Sequence, residues 1–250
     1  MRLFLVISLF IVLCFSCKEE AEEQQLENPD RAEELIDMVI EKMGGIDTWN
    51  SRRYFSWNTF GARRHVWDSW NNDFYLESYI DEFYAQVNFD TGEGRVVLQG
   101  NELTYDDSLQ EYLDLSIKMW ANDSYWLFLP FKTKDPGVIL DYKGQDQTQS
   151  NREIEVVEMT FEEGVGLTPH NKYHLFIDTQ DSLIVSWSFF KHHEDLASDY
   201  SVKMKNYEWY NGLLLSSDRG KFDIGQIHVT DTLEHIVRPL LISRGEKVFL

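Results

Sequence analysis

The sequence predicts a mainly β fold of α+β type: a strongly curled antiparallel sheet of about eleven strands, with helices over its concave face. Three observations carry this. The stretch Tyr54–Phe89 alternates apolar and polar residues in successive short runs, as in Phe55-Ser56-Trp57-Asn58-Thr59 and Phe83-Tyr84-Ala85-Gln86-Val87-Asn88-Phe89, so each run has one greasy and one wet face. Turn signals punctuate the chain at short intervals, among them Asp90-Thr91-Gly92-Glu93-Gly94. Helical spacing occurs in only two places. An open sheet of more than about ten strands curls or splits, and a curled sheet leaves a concave apolar face for helices to plug.

The bulk numbers narrow the class. The chain has 250 residues, 43% apolar and 14% aromatic, which supplies a sizeable core and excludes global disorder. Its formal charge of −20 repels nucleic acid and anionic lipid headgroups, so no nucleic-acid partner is expected. Both cysteines, Cys14 and Cys17, stand at the N-terminal end. Disulfides, cysteine-ligated zinc and thiol catalysis are therefore excluded from the body of the chain.

The N-terminus reads as an address. Met1-Arg2 precedes a hydrophobic run, Leu3 to Phe15, too short to span a bilayer comfortably and fitting a secretory signal. The run closes on Cys14-Phe15-Ser16-Cys17. This resembles the lipobox of bacterial lipoproteins, with Cys14 where leucine is usual. The resemblance implies a signal peptide over 1–16 and an acylated Cys17 as the first mature residue. Lys18-Glu19-Glu20-Ala21-Glu22-Glu23 then opens an acidic, self-repelling tether over 17–29. It also resembles the acidic export signal of Bacteroidota surface lipoproteins. One acyl chain binds a membrane marginally and two anchor stably, so an acylated Cys17 favours a fixed receptor, acceptor or scaffold over a soluble shuttle.

Residues 30–250 read as one β domain. Asn28, Pro29 and Asp30 start a helix. Leu35, Ile36, Val39, Ile40 and Met43 form its apolar stripe and Gly44-Gly45 ends it, so it should lie on a sheet. Strands are expected near 53–60, 63–70, 73–80, 82–89, 94–99 and 103–105. Between 108 and 130 the two-residue period disappears. One or two helices are expected there, broken near Ala121-Asn122-Asp123, where Asn122 or Asp123 can cap the second. Asp135-Pro136-Gly137-Val138 has the composition of a type II turn. Strands resume at 138–143, 152–161, 173–178, 182–190, 201–209, 212–219 and 224–230.

The order of lipobox, linker, helix ending in Gly44-Gly45, Trp49, antiparallel strands, and a helical insert with Asn122-Asp123-Ser124-Tyr125-Trp126 leading to Pro130-Phe131-Lys132 and Asp135-Pro136-Gly137 resembles a family of uncharacterised Bacteroidota lipoproteins. Its architecture is similar to the Lol-type carriers that sort outer-membrane lipoproteins. That likeness implies a half-open β-barrel whose hydrophobic cavity is lidded by helices. It transfers no binding residue, because no specific motif matches.

Catalytic motifs are missing from the sequence: no nucleophile elbow, His-Glu-x-x-His, phosphate loop or dinucleotide fingerprint occurs. His192-His193-Glu194-Asp195 reads as a solvated loop, and no metal or cofactor is assigned. In Arg63-Arg64-His65-Val66-Trp67-Asp68 a strand would place Arg63, His65 and Trp67 on one face. Arg63 and His65 would there either meet an anionic headgroup or be satisfied by neighbours. The chain is read as a monomeric non-enzyme, anchored at the outer membrane through Cys17. It would bind a lipid or acyl chain in a cavity lined by Phe55, Trp57, Arg63, His65, Trp67, Phe83, Trp126 and Leu127, in lipid or lipoprotein handling at the cell envelope. The alternative is a surface glycan- or protein-binding lipoprotein with exposed aromatics.

Overall fold

The computed structural model describes residues 29–147 and 152–232. The signal segment, Cys17, the tether as far as residue 28 and the tail from Leu233 lie outside the described residues.

Helix α1 (Pro29–Lys42) buries Leu35, Ile36, Val39 and Ile40 of the predicted stripe, with Met43 just past its end and Ala32 beside them. It closes with hydrogen bonds from the Gly44 amide to the Glu41 carbonyl (3.1 Å) and from the Gly45 amide to the Ile40 carbonyl (2.9 Å). Gly44 has φ 111°, and a Cβ there would stand 2.1 Å from the Gly212 carbonyl oxygen. Only glycine allows both the backbone angle and the close approach. A short helix, α2 (Ile46–Ser51), follows and carries Trp49.

Seven strands form the first sheet, in the order β14-β1-β2-β3-β4-β5-β6. They are β1 (Tyr54–Thr59), β2 (Arg63–Asp68), β3 (Asp73–Ser78), β4 (Phe83–Asn88), β5 (Gly94–Leu98), β6 (Asn101–Glu102) and β14 (Ile224–Thr230). All pairs are antiparallel. Phe83, Ala85 and Val87 of β4 face the core as the alternation requires, and the residues between them are half-exposed. The second sheet, in the order β11-β10-β9-β8-β7, comprises β7 (Val138–Gln147), β8 (Glu153–Phe161), β9 (Lys172–Asp178), β10 (Leu183–Phe190) and β11 (Tyr200–Lys203). A hairpin of β12 (Lys205–Tyr210) and β13 (Leu213–Asp218) forms the third. Helix α1 packs against β7 and β10. Helix α3 (Asp106–Lys132) packs against β4, β5 and β13. One main hydrophobic cluster runs through both long helices and all three sheets.

The structure corrects several expectations. The described strands number fourteen and divide into three sheets instead of one curled sheet. The strand expected over 201–209 is interrupted at Met204, whose amide bonds the Val185 carbonyl (2.8 Å) while the chain turns into the hairpin. The helix α3 runs unbroken through Ala121-Asn122-Asp123. The polar residues there are not caps: Asp123 is an ion-pair partner of the first sheet, and Ser124 bonds back to the Ala121 carbonyl (2.9 Å). The type II turn forms as predicted, with Gly137 at φ 78° and the Val138 amide bonding the Asp135 carbonyl (3.2 Å).

Pro130 lies inside α3 and has no amide hydrogen, so the carbonyl of Trp126, four residues earlier, loses its helical partner. Arg219, buried after β13, donates Nε (3.1 Å) and Nη2 (2.5 Å) to that carbonyl. Its Nη1 reaches the Ser216 hydroxyl (2.6 Å). Burial lowers the Arg219 guanidinium to about 10.

Candidate ligand cavity

The aromatic face of the first sheet is filled by the protein itself. Trp49 of α2 stacks on Phe131 (centroids 4.6 Å apart) and contacts Phe55 (4.8 Å) and Phe128 (5.1 Å). Trp67 meets Phe55 (5.2 Å) and Trp120 (5.3 Å). Trp57 stacks on His65 (4.6 Å), and Phe83 meets Tyr112 of α3 (5.0 Å). Phe55, Trp57, Phe83 and Leu127, all expected to line a cavity, are core residues.

An ion network pins α3 to this sheet. Arg63 and His65 do share a face of β2, and both reach the fully buried Asp123. Arg63 donates Nε (2.7 Å) and Nη2 (2.9 Å) in a bidentate pair, and His65 contributes Nε2 (2.8 Å). Burial raises the Asp123 carboxyl, but the hydrogen bonds from His65 and Arg63 outweigh it and hold it at about 2. Burial lowers His65 more than its bond to Asp123 raises it, so the ring falls below its ordinary value. A neutral His65 donates from Nε2 to the carboxylate, which leaves Nδ1 as a buried atom without a partner. Of the two roles open to Arg63 and His65, the structure places them with a neighbour of their own chain.

The cavity lies on the other side of α3. It measures about 660 Å³ and separates α3 from one end of the second sheet. With α3 held against the first sheet, its opposite face stands away from the second; Ala121 in that face adds little bulk. Tyr125 and Trp126 come from α3, and Phe161, Tyr173, Trp187 and Phe189 from the sheet. Tyr125 stacks on Tyr173 (5.7 Å), Tyr173 meets Phe189 (5.4 Å), and Trp126 meets Trp187 edge-on (5.2 Å). Burial pushes the phenols of Tyr125 and Tyr173 well above their ordinary range. These are apolar walls with isolated polar tips, the composition of a small-molecule site.

One loop borders it, and a second is tied to that loop. The loop 162–171 places Val165 and Leu167 on the wall. Val165 packs on the type II turn, where a Cβ on Gly137 would come within 2.6 Å of it. The loop 191–199 is tied to the first loop: the Lys172 ammonium donates to the His193 (2.7 Å) and Asp195 (2.9 Å) carbonyls, and His193 Nε2 donates to the Pro169 carbonyl (2.8 Å). His193, in the stretch read as a solvated loop, thus holds the two loops together. Among the described residues no three His, Cys, Asp or Glu side chains group as a metal site.

Of the residues expected to line a cavity, only Trp126 does so. Tyr125, Phe161, Tyr173, Trp187 and Phe189 were missed. The alternation in Leu183–Phe190 was a usable signal, because Trp187 and Phe189 share a face. The aromatic density of Tyr54–Phe89 was the louder one. Exposed aromatics also exist, but they are scattered: Trp70 stands in the turn after β2, Tyr105 just before α3 and Trp209 on β12.

No family model and no curated protein matches the chain. Similar solved structures include a DUF1329 family protein from Desulfovibrio piger, at 9% identity and a TM-score of 0.44, covering 84% of this chain and 97% of that one. A putative outer membrane lipoprotein-sorting protein domain from Vibrio parahaemolyticus is similar at 10% identity and 0.43, over 87% of this chain and all of that one. A LolA superfamily protein from Nitrosomonas europaea follows at 8% and 0.38, over 82% and 96%.

Proposed function

We propose that the chain is a membrane-anchored lipoprotein that holds a hydrophobic ligand, a lipid or an acyl chain, between α3 and the second sheet. The observation that carries this reading is the 660 Å³ cavity with its aromatic wall, a size at which pockets take one small ligand. In this reading the three sheets act as segments of one half-open barrel around α3. The continuous core, the run of β11 into β12 and the contact of β13 with β14 support that arrangement. The anchor is the acylated Cys17 and the setting is the outer membrane. Among the described residues no helix is long and apolar enough to cross a membrane.

The test is saturable binding of a fluorescent fatty acid to the purified chain, with quenching of tryptophan emission. Ala121→Phe, which places a ring in the cavity, should weaken binding at least tenfold while the circular dichroism spectrum stays unchanged. Absence of saturable binding by the unaltered chain to any acyl probe would end this reading. Independently, Cys17→Ser should abolish labelling by an alkyne fatty acid in cells and release the protein from membranes; a mutant that still labels and sediments would refute the anchor.

A further inference from the structure

Among the described residues twelve large hydrophobic side chains are exposed. Trp70, Tyr105 and Trp209 are scattered, but six of the twelve follow one edge of the molecule. Leu167 (53% exposed) and Tyr200 (41%) stand in the cavity wall itself and so mark its mouth. We propose that this edge is a docking surface for an uncharged lipid bilayer, from which the ligand passes into the cavity without crossing water. The proposal rests on the hydrophobic-ligand reading above and names the partner of that site.

Continuity is the first ground. Leu196 is fully exposed and follows Asp195, whose carbonyl accepts from the Lys172 ammonium (2.9 Å). Leu167 stands two residues before Pro169, whose carbonyl accepts from His193 Nε2 (2.8 Å). These bonds set the two leucine-bearing loops side by side. The Trp126 ring lies parallel to Tyr200 (6.2 Å), and Phe222 (49% exposed) meets Trp126 at the same distance. The turn after β1 carries the edge further: the Phe60 ring meets Phe222 (5.1 Å), and the Phe60 amide bonds the Asp223 carbonyl (3.1 Å). The Tyr79 amide bonds the Ala62 carbonyl (2.9 Å), which brings the exposed Tyr79 and Ile80 next in line. An exposed apolar patch of this kind marks a contact with a membrane or a protein. Leu167, Leu196, Phe222, Tyr79 and Ile80 stand in loops and turns between strands. Their side chains can reach the boundary between headgroups and acyl chains while the backbone stays in the wet zone.

The ligand is the second ground, because it selects the bilayer over a protein. A long alkyl chain that leaves a bilayer for water loses all of its apolar shelter. A cavity mouth laid on the bilayer removes that step. Contact then changes the rate of entry and leaves the affinity alone. Charge decides which bilayer. The loops 162–171, 191–199 and 219–223 carry Glu162, Glu163, Glu194, Asp195, Asp199 and Asp223 against Lys191, Arg219 and Lys221. With a formal charge of −20 on the whole chain, an anionic surface is repelled and a zwitterionic one is not.

The experiment measures transfer of a fluorescent fatty acid from vesicles to the full chain. The Cys17→Ser chain, free of an acyl anchor, is mixed with phosphatidylcholine vesicles that carry the probe and a non-exchanging quencher. The rise in emission gives the rate. That rate should increase in proportion to vesicle concentration, the mark of transfer by collision. Leu196→Glu, at an exposed position outside the cavity wall, should slow transfer about fivefold while its affinity for the probe in vesicle-free buffer stays within about twofold. Adding Phe222→Glu should slow it further. Replacing about a third of the phosphatidylcholine by phosphatidylglycerol should also slow transfer, and salt should restore it. A rate independent of vesicle concentration, a rate that both variants leave unchanged, or faster transfer from the anionic vesicles would overturn the bilayer surface and leave the hydrophobic-ligand reading standing. Absence of probe binding in vesicle-free buffer would overturn both.

Discussion

The most consequential single side chain is Asp123, buried in mid-helix and reached by the Arg63 guanidinium and the His65 imidazole from β2. Both Asp123 and His65 have folded values below their ordinary ones of 3.8 and 6.5. In each case the unfolded chain binds more protons, so stability is fully present above the unfolded value and falls as pH drops through the window toward the folded one. Unfolding free energy should therefore decline below about pH 6.5, with a slope of up to about 1.4 kcal/mol per pH unit from His65. A second decline belongs to Asp123, between its ordinary value and about 2. Urea denaturation of His65→Gln across pH 4.5–6.5 should show the first slope flattened; an unchanged slope would mean that His65 is not the titrating group. The pairing of Arg63 and His65 with one another's face was legible from the strand period. Their partner was not, because Asp123 lies 60 residues from Arg63 in sequence, and Asn122-Asp123-Ser124 has the composition of a helix cap.

At the scale of elements, α1 was readable in full: a narrow apolar stripe, a proline start and a double-glycine stop all agree. Helix α3 was readable only as helical. Its continuity depends on contacts that local propensity does not encode, and its proline is tolerated because Arg219 supplies what Pro130 withholds. This compensation is testable as a coupling. Arg219→Met should destabilise the fold by about 1–3 kcal/mol, the penalty for leaving the Trp126 carbonyl buried and unpaired. In a Pro130→Ala background, where residue 130 regains its amide, the same change should cost less, with a coupling of about 0.5–3 kcal/mol in a thermal or urea double-mutant cycle. Additive effects would show that the guanidinium acts on Ser216 and packing alone. In the first sheet, β3 and β4 were legible to within a few residues because one face of each is buried and the other half-exposed. The second half was less so: β10 and β7 carry register shifts that disturb the period of two.

For the whole molecule, the sequence showed an aromatic-rich sheet, a helical insert and too many strands for one flat sheet. It left open which face the insert would seal. Aromatic density pointed to the first sheet as the binding face, yet density is what lets that face close on itself: Trp49, Phe55, Trp67, Phe128 and Phe131 satisfy one another and leave no room. The thinner aromatic lining of the second sheet, opposite Ala121, borders an open cavity among the described residues. A cavity-lining face thus differs from a core face in what stands across from it, and that information is long-range. The measurement that tests this placement most directly is photolabelling of the intact chain with a diazirine-bearing fatty acid, followed by mass-spectrometric mapping. Saturable labelling should concentrate on α3 around Tyr125 and Trp126 and on β9 and β10 around Tyr173 and Phe189, and be displaced by unlabelled fatty acid. Displaceable labelling confined to β1–β4, between Phe55 and Val87, would contradict it.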